Sequence, residues 1–391
     1  MLLLDLSHTS HTRARTGIQR VARSLHQHLA GVAEPITRDP FMDMWRKLEP
    51  WELASLADGR GGKKRGARWP QSAIWRGRLR RWLGKSRLHA LQGPFDGLIE
   101  PEIFGPPVVR DLPKLFQHVK GPRIALFHDA IPLRFPELTP PRTVARFPDY
   151  LQELLMFDGI AAISEESRDS LQRYWAWLGI TNTPPVHALP VGVDLQKRLP
   201  IPASKSTREN VRPVVLCVGT IEGRKNHLQL LQACEKLWSQ RQDFELRIIG
   251  HVNETGRAAL TRLRELQAAG RPLRYDGPAA DDDIERAYEE CAFTVYPSVA
   301  EGFGLPVIES LARGKPCVCS AQGALGEISR GGGCIALDVP DSDHLANALA
   351  SLLNSPAQLG ELAATARTRT FKSWADYSRE LVTWMQSLPR R

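Results

Sequence analysis

The sequence predicts an α/β protein with two domains, each built around a mostly parallel sheet. Three observations indicate this class. The chain has 391 residues, more than one typical domain contains. Short apolar segments alternate with amphipathic ones through both halves, as in parallel sheets whose strands are joined by helices. Between the halves, the proline-rich stretch 184–213 has no sustained periodicity and is typical of a linker.

The first half begins with a predicted strand, MLLLDLS, followed by a polar loop and a helix that starts near Gly17. A strand and a turn recur at PRIALFHDAIP. In FDGIAAISEESRDSLQRYW, a short buried strand precedes Ser164, which we expect to cap the next helix. We predict a first domain over 1–195, with a basic insertion at about 59–90.

The second half repeats the alternation and predicts about six strands. Strands are expected at VVLCVG, FELRIIG, LRYDGP, FTVYPS and PCVCS, with helices between them. We predict a second domain over 196–370. Residues 371–391 then contain one further helix, SWADYSRELVTWMQSL. It carries an apolar stripe, which we expect to pack on the N-terminal domain, formed by Trp374, Tyr377, Leu381 and Trp384.

The composition is that of a soluble globular protein, with 42% hydrophobic and 24% charged residues. We find no signal peptide and no apolar run of membrane-spanning length, so we expect a cytoplasmic protein. The net charge is +9, and one segment accounts for it. Arg60 to Arg87 contains eleven basic residues and no acid, which indicates a local partner surface.

No metal site is predicted. The six cysteines lie in the second half without a CxxC pair or a neighbouring histidine, so we expect reduced, structural thiols. Two Asp-x-Asp matches, at Asp281 with Asp283 and at Asp341 with Asp343, resemble a metal-binding pattern. Both stand at predicted helix N-termini, where capping and the helix dipole explain them.

The stretch VGTIEGRKN (218–226) has the features of a phosphate site. It follows a predicted strand and precedes a helix, with Gly219 and Gly223 in the turn and Arg224 and Lys225 beside the helix start. Free amides, a helix dipole and fixed positive charge together favour an anion. A solvated helix N-terminus is the alternative, but cations oppose the dipole there, so a bound anion explains them better.

A second glycine turn, SVAEGFGLP, follows the strand predicted at FTVYPS. Gly302 and Gly304 allow the backbone to approach a ligand closely. Glu301 precedes the turn, and Glu309 lies about one turn into the helix that starts near Pro306. Carboxylates accept hydrogen bonds from hydroxyls, so these acids and the two cations together predict a nucleotide-sugar site. Two surface glutamates are the alternative.

These motifs resemble those of the retaining glycosyltransferases of family four, which adopt the GT-B fold. EGFGLPVIE resembles the family signature of two glutamates separated by seven residues. VGTIEGRKNHLQLLQA resembles its strand–turn–helix element, and LFHDAIPLRFPE resembles a turn of members that assemble polysaccharides. The matches run in order from about residue 1 to 385. They imply two Rossmann-like domains with a cleft between them, in an enzyme of bacterial polysaccharide or lipopolysaccharide assembly.

The resemblance also implies a role for each matching residue. Arg224 and Lys225 would bind the donor diphosphate and stabilise its charge as it leaves. Glu301 would hold the transferred sugar, and Glu309 would accept from the ribose hydroxyls. His128 would meet the sugar from the N-terminal domain. Further donor contacts are implied for Gly302, Phe303, Gly304, Leu305 and Gly17.

Two features of this chain leave alternatives beside those roles. The first loop carries only TGIQR, whereas many members have paired glycines there. Without the resemblance, a histidine that follows a strand, such as His128, is more often structural. Asp129 either fixes the imidazole or is simply a turn residue.

The implied reaction is transfer of a hexose, with mannose as the first candidate, from GDP- or UDP-hexose to a hydroxyl of a growing, lipid-linked glycan. It would retain configuration and be metal-independent, with no cofactor besides the nucleotide diphosphate sugar as co-substrate. Positioning and charge stabilisation would supply the catalysis. One alternative is another GT-B activity, such as nucleotide-sugar epimerisation or phosphorolysis. A basic nucleic-acid-binding module is the alternative from a different class.

The basic segment 60–87 predicts a partner of its own. Trp75, Leu79, Trp82 and Leu83 recur at helical spacing with arginines between them, which suits the headgroup region of an anionic bilayer. We therefore expect a peripheral protein at the inner face of the cell membrane, and no nucleic acid. Nucleic acid stacked on the tryptophans is one alternative. A solvated, partly disordered insertion, favoured by the glycines at 59–66, is the other.

Overall fold

Parallel β-sheets form the centre of both halves of the chain, as predicted. The computed structural model describes residues 1–14, 16–57, 66–193 and 212–389. Its contacts divide the chain into two compact units. The first contains Met1–Asp129, Arg146–Gly192 and Trp374–Arg391, and the second contains Ala130–Ala145 and Val193–Ser373. The predicted domain limits therefore differ from these units at 130–145, which lies with the second unit.

The first unit has a seven-stranded sheet in the order β3-β2-β1-β4-β5-β6-β7. All neighbouring strands are parallel except β2 and β3, which form an antiparallel edge pair. Central strands are buried over their whole length, because helices cover both faces of such sheets. The strands are β1 (Leu2–Asp5), β2 (Ala33–Asp39), β3 (Met44–Lys47), β4 (Gly97–Glu100), β5 (Arg123–Phe127), β6 (Gly159–Ala162) and β7 (Val186–Ala188).

In the described part of the chain that precedes the second sheet, seven α-helices are present. As predicted, the Ser164 side chain accepts from the Ser167 amide and caps the last of them. The helices are α1 (Gly17–His28), α2 (Pro50–Ala57), α3 (Gln71–Trp82), α4 (Pro106–Phe116), α5 (Ile131–Arg134), α6 (Pro141–Glu153) and α7 (Glu165–Trp177).

The second unit has a six-stranded sheet in the order β10-β9-β8-β11-β12-β13, with every neighbouring pair parallel. Its strands are β8 (Val214–Val218), β9 (Glu245–Ile249), β10 (Leu273–Gly277), β11 (Phe293–Tyr296), β12 (Cys317–Ser320) and β13 (Cys334–Leu337). Its helices are α8 (His227–Ser239), α9 (Arg257–Ala268), α10 (Asp281–Glu290), α11 (Leu305–Ala312), α12 (Gly323–Ser329), α13 (Ser342–Asn354) and α14 (Pro356–Thr368).

The last helix, α15 (Trp374–Ser387), belongs to the first unit. Trp374, Tyr377 and Leu381 are buried as predicted, and Met385 takes the fourth buried position. Trp384 is half-buried and stacks on His187, with 5.5 Å between the ring centroids. The helix therefore completes the hydrophobic core of the first unit, although it follows the second unit in sequence.

The predicted helix in the basic segment is confirmed as α3. The disorder predicted at 59–66 falls mainly on 58–65, which lie outside the described residues. In the part of the chain that the structure describes, no helix combines the length and apolar character needed to cross a membrane.

Candidate functional site

The loop that follows β8 brings the two predicted cations to a helix start. Gly223–Lys225 form one 3₁₀ turn, and Asn226 then adopts a left-handed conformation (φ 58°) as the N-cap of α8. The Gly223 amide donates to the Thr255 hydroxyl at 2.9 Å, which fixes the turn. Arg224 and Lys225 are thereby held at the carboxyl edge of the sheet, where ligands bind to open α/β sheets.

The glycine turn that follows β11 lies beside this loop. The Val299 amide donates to the Arg224 carbonyl oxygen at 2.8 Å and joins the two loops. Gly304 is the N-cap of α11 with φ 113°, and a Cβ there would lie 2.5 Å from Leu325 Cδ2. Only glycine fits this position. As predicted, α11 starts with Leu305 and Pro306. Pro306 has no N–H to leave unpaired, and the Val307 and Ile308 amides donate to the Gly304 carbonyl at 3.0 and 3.3 Å.

Glu301 lies between the two cations. Its Oε2 atom is 2.7 Å from Arg224 Nη1, and its Oε1 atom is 2.5 Å from Lys225 Nζ. Arg224 also contacts Glu222, with Nη2 2.7 Å from Oε1. Three of the predicted site residues thus form one cluster. Its charge is balanced, because two carboxylates face two cations.

This balance changes one argument made from the sequence. The cations at the start of α8 were expected to need a bound anion, but Glu301 and Glu222 already offset their charge. What the structure adds instead is burial: 9% of the Lys225 side chain and 7% of the Glu301 side chain are exposed. Buried ion pairs often add little to stability, and they are frequent at functional sites. The burial of this pair therefore indicates a role in function.

Burial and the neighbouring charges set the protonation states of Glu301 and Lys225. Burial raises the pKa of Glu301, but the Arg224 and Lys225 cations outweigh burial and hold that pKa at about 2. For Lys225, burial lowers the pKa, and the Glu301 carboxylate opposes this change. Glu301 is therefore ionised at neutral pH and can only accept hydrogen bonds.

Tyr296 belongs to this cluster and was missed in the sequence. It is the last residue of β11 and is 3% exposed. Its hydroxyl accepts from Lys225 Nζ and donates to Glu301 Oε1 at 3.1 Å, and the Lys225 ammonium lies 4.4 Å from the ring centroid. Burial, reinforced by the Glu301 charge, raises the pKa of Tyr296 well above its usual value. Its position before Pro297 at a strand end was the available signal.

Glu309 has different partners from Glu301. It is buried on α11, and Tyr288 donates to its Oε2 atom at 3.3 Å. Arg313 donates to the Glu309 backbone carbonyl at 2.7 Å. The remaining residues of the turn, Gly302, Phe303 and Leu305, are also buried.

His128 and Gly17 lie in the first unit. His128 follows β5 and is 3% exposed. Its Nε2 atom is 2.8 Å from the Pro101 carbonyl oxygen, and because a carbonyl only accepts, Nε2 carries the proton. Burial, opposed by this hydrogen bond, lowers the pKa of His128 to about 4, so the imidazole is neutral at pH 7. Gly17 starts α1, and a Cβ there would meet nothing within 4 Å.

Three buried acids of the first unit were also missed. Asp5 and Glu100 end β1 and β4, and Glu102 follows two residues later. Glu102 accepts from the backbone amides of His8 and Thr9, each at 2.8 Å, and so fixes the loop that follows β1. Burial raises the pKa of Glu102 to about 7. Acids that end apolar strands (LLLD, LIE) were the signal in the sequence.

The two Asp-x-Asp matches differ in detail. Asp341 caps α13 by accepting from the amides of Asp343 and His344, as predicted. Asp281 and Asp283 lie in the first turn of α10, where Ala280 is the N-cap. Among the described residues, no three His, Cys, Asp or Glu side chains are grouped to hold a metal ion.

The fold matches solved structures over its whole length. One neighbour is the crystal structure of HepE from Anabaena in complex with UDP and glucose. The TM-score is 0.68 at 14% sequence identity, and the match covers 99% of each chain. The fold is therefore of the GT-B class, as predicted.

Sequence comparison finds a family model that matches one segment of the chain. Residues 203–369 match the family model of glycosyl transferases group 1. This segment contains the Arg224–Lys225–Glu301 cluster and Glu309. The resemblance drawn from the motifs is therefore confirmed.

Two relatives are mannosyltransferases of Escherichia coli. The serotype-specific mannosyltransferase WbdA is 25% identical over 344 residues, which are 81% of this chain and 38% of the relative. The O-antigen chain mannosyltransferase B is 36% identical over 131 residues, which are 33% of this chain and 34% of the relative. The matches thus span less than two fifths of the length of either relative.

Proposed function

We propose that the protein is a retaining glycosyltransferase that moves a hexose from a nucleotide diphosphate sugar to a hydroxyl of a growing surface glycan. The observation that carries the proposal is the buried cluster of Arg224, Lys225 and Glu301 beside the glycine turn, within the segment that matches the family. Mannose is the first candidate sugar, supported by the mannosyltransferase relatives. GDP and UDP are both candidate nucleotides.

The cluster explains how a diphosphate would be received. Arg224 and Lys225 are held by Glu222 and Glu301, so a diphosphate competes with these carboxylates for the two cations. As the glycosidic bond breaks, negative charge grows on the departing diphosphate and strengthens its hold on the cations. No metal ion and no cofactor take part in the proposed step.

Binding of the diphosphate to the two cations would also leave carboxylate oxygens available to the hydroxyls of the donor. When a diphosphate shares the cations, Glu301 is freed to accept hydrogen bonds from sugar hydroxyls. Glu309, whose carboxylate also accepts from the Tyr288 hydroxyl, accepts from the ribose hydroxyls. The backbone of Gly302 to Leu305 lines the donor, and the positive end of the α11 dipole faces its charge.

His128 is proposed to contact the transferred sugar. Its Nε2–H is directed to the Pro101 carbonyl, so Nδ1 is left without a proton and can accept from a hydroxyl. Retention then follows from attack on the face that the nucleotide leaves, with positioning rather than a protein nucleophile as the main contribution. Gly17 is proposed to approach the donor from the loop that precedes α1.

A nucleotide-sugar screen tests the proposal. Thermal unfolding is measured with GDP-mannose, UDP-glucose, UDP-N-acetylglucosamine and the free nucleotides. A donor present at one hundred times its dissociation constant adds about 2.7 kcal/mol to the free energy of unfolding. We expect one donor to stabilise wild type, and Lys225→Met to reduce that shift. Stabilisation by none of them would contradict the proposal.

Product analysis then separates the alternatives. With the stabilising donor and a glycan acceptor, proton NMR of the product reports the anomeric configuration. An α-linked product from an α-linked donor supports retention. Conversion of the nucleotide sugar into its epimer, without transfer, would show the alternative GT-B activity instead.

A further inference from the structure

The outer face of α3 is a row of exposed apolar side chains. Trp75, Leu79 and Trp82 are 68%, 54% and 81% exposed, and their spacing places them on one side of the helix. The opposite side contains Ala73 and Gly77, which are buried. A Cβ at Gly77 would lie 2.8 Å from Phe41 Cβ, so close packing fixes the orientation of the helix.

Arginines flank this row and attach the helix to the first unit. Arg76 and Arg80 both contact Glu49, at 3.0 and 2.8 Å. Arg81 contacts Asp43 at 3.0 Å. These three arginines therefore hold α3 in place, and replacing them would disturb the helix itself. The apolar row and the Arg78 guanidinium remain available to a partner, and Arg81 lines the groove beside them while it holds Asp43.

A groove with two guanidinium groups lies next to the row. It has a volume of about 530 Å³ and is lined by Pro40, Phe41, Arg78, Arg81 and Trp82. The Arg78 guanidinium lies 5.8 Å from the centroid of the Phe41 ring. Two guanidinium groups beside an indole suit a phosphate group at the level where lipid headgroups meet acyl chains.

We propose that α3 and the following 3₁₀ turn (Lys85–His89) dock on an anionic lipid bilayer, with the apolar row inserted and the groove receiving lipid phosphate. Leu83 and Leu88, 47% and 77% exposed, extend the apolar surface along the chain. The charge of this surface favours an anionic partner over a second copy of the protein. Residues 66–89 contain seven Lys and Arg and no acid. Glu49 and Asp43 offset only part of this charge, so the surface stays positive and two copies of it would repel each other.

Aliphatic side chains also distinguish a bilayer from nucleic acid. Leu79 lies between the two tryptophans, and leucine provides hydrocarbon for insertion but no aromatic face for a base to stack on. Tryptophan with flanking cations is the composition of helices that lie in the membrane interface. This docking does not depend on the proposed reaction, since it involves no residue of the donor cluster.

Sedimentation with vesicles tests the inference on the full chain. Vesicles of phosphatidylcholine with one quarter phosphatidylglycerol are compared with pure phosphatidylcholine, at low and high salt. We expect binding to the anionic vesicles and weaker binding as salt screens the arginines. Trp75→Ala and Trp82→Ala should each weaken binding about tenfold, as loss of a buried aromatic does. The matched control is Trp177→Ala, because Trp177 is 79% exposed on α7.

A second pair of variants tests the groove. Arg78→Gln should weaken binding about fivefold, while Arg173→Gln, on the exposed part of α7, should leave it unchanged. Absence of binding to anionic vesicles at low salt would overturn the inference. So would equal losses in the Trp82 and Trp177 variants. Binding of transfer RNA or self-association that requires Trp75 and Trp82, without vesicle binding, would replace the bilayer with that partner.

Discussion

At the residue scale, the cluster around Glu301 combines a cost in stability with a proposed function. The Glu301 and Lys225 side chains are both buried. Arg224 and Lys225 lower the pKa of Glu301, and Glu301 opposes the lowering of the Lys225 pKa by burial. Buried ion pairs are often no more stabilising than apolar residues of similar size, whereas removing one partner is strongly destabilising. Removing one charge of the cluster is therefore expected to lower the free energy of unfolding more than removing a balanced pair of charges.

The first prediction concerns charge balance. Lys225→Met and Glu301→Gln should each lower the free energy of unfolding by about 2 kcal/mol, because a buried charge loses a partner while Arg224 stays in place. The double variant should lose less free energy of unfolding than the sum of the two single losses, because Arg224 then faces Glu222 alone. Urea unfolding measures all three. Strict additivity would show that Lys225 and Glu301 do not interact.

The second prediction concerns Tyr296. Tyr296→Phe keeps the ring and removes the hydroxyl that links Lys225 to Glu301. Turnover should fall about tenfold, the effect of one hydrogen bond in a preorganised site, and the melting temperature should change little. The control is Tyr275→Phe, whose lost hydroxyl donates to the Gly250 carbonyl in the same unit. Equal turnover in the two variants would show that the Tyr296 hydroxyl does not contribute to the proposed reaction.

The third prediction concerns pH. Burial holds the pKa of His128 at about 4 in the folded protein, against 6.5 for an ordinary histidine. Between these values the unfolded chain binds more protons, so the contribution of His128 to stability falls as the pH falls from 6.5 towards 4. His128→Gln should abolish this contribution, up to about 3 kcal/mol.

Comparing the two proteins across pH isolates His128 from its neighbours. The raised pKa of Glu102, about 7 because of burial, acts in the opposite direction. It favours the folded state at low pH, and that contribution is lost as the pH rises through 7. A constant difference in stability between wild type and the His128 variant, from pH 7 to pH 4, would contradict the assignment.

At the element scale, the sequence predicts the second sheet better than the first. Strands β8 to β12 and the helices between them have clear periodicity, so they were found. In the second sheet, β13 was not assigned to a segment. In the first sheet, the β2–β3 pair, the central strand β4 and the three-residue strand β7 were missed. A strand of that length is too short to show alternation, and β7 lies within the stretch interpreted as a linker.

The site shows the same limit. Arg224, Lys225 and Glu301 could be predicted because each lies in a motif that is local in sequence. The contact of Tyr296 with Lys225 joins residues 71 positions apart, and the contact of Glu102 with Thr9 joins residues 93 positions apart. No periodicity or spacing encodes such contacts, because the order of strands in the sheet creates them.

The fourth prediction concerns α15. Gly159 on β6 accommodates this helix: a Cβ there would lie 2.6 Å from Leu388 Cδ1 and 3.0 Å from Trp384. Gly159→Val should therefore displace the helix and expose apolar surface of the first unit. We expect increased binding of a hydrophobic dye. The free energy of unfolding should fall by about 1–3 kcal/mol, as is typical when a core is overpacked.

Truncation after residue 373 should produce the same effects more strongly, because Trp374, Tyr377 and Leu381 are buried. Gly179→Ala is the control, since a Cβ at Gly179 meets nothing within 4 Å, although its left-handed backbone (φ 71°) adds a small cost. A monodisperse, active truncated protein would show that α15 is dispensable.

At the scale of the whole molecule, the two units are not consecutive in sequence. Residues 130–145 belong to the second unit and α15 to the first, so each unit is completed by a segment from beyond its main span. Of the proposed site residues, His128 and Gly17 lie in the first unit, and the cluster with Glu309 lies in the second. The proposed bilayer surface on α3 lies in the first unit alone.

The fifth prediction is the most direct test of the proposed function: transfer of labelled hexose from the stabilising donor to a glycan acceptor. Lys225→Met should reduce turnover by roughly 30-fold to 1,000-fold, or about 2–4 kcal/mol of barrier, because the leaving diphosphate loses a preorganised cation. The control, Lys236→Met, removes an exposed lysine from α8 and should transfer at the wild-type rate. Wild-type turnover in the Lys225 variant, with both proteins folded, would contradict the proposed donor site.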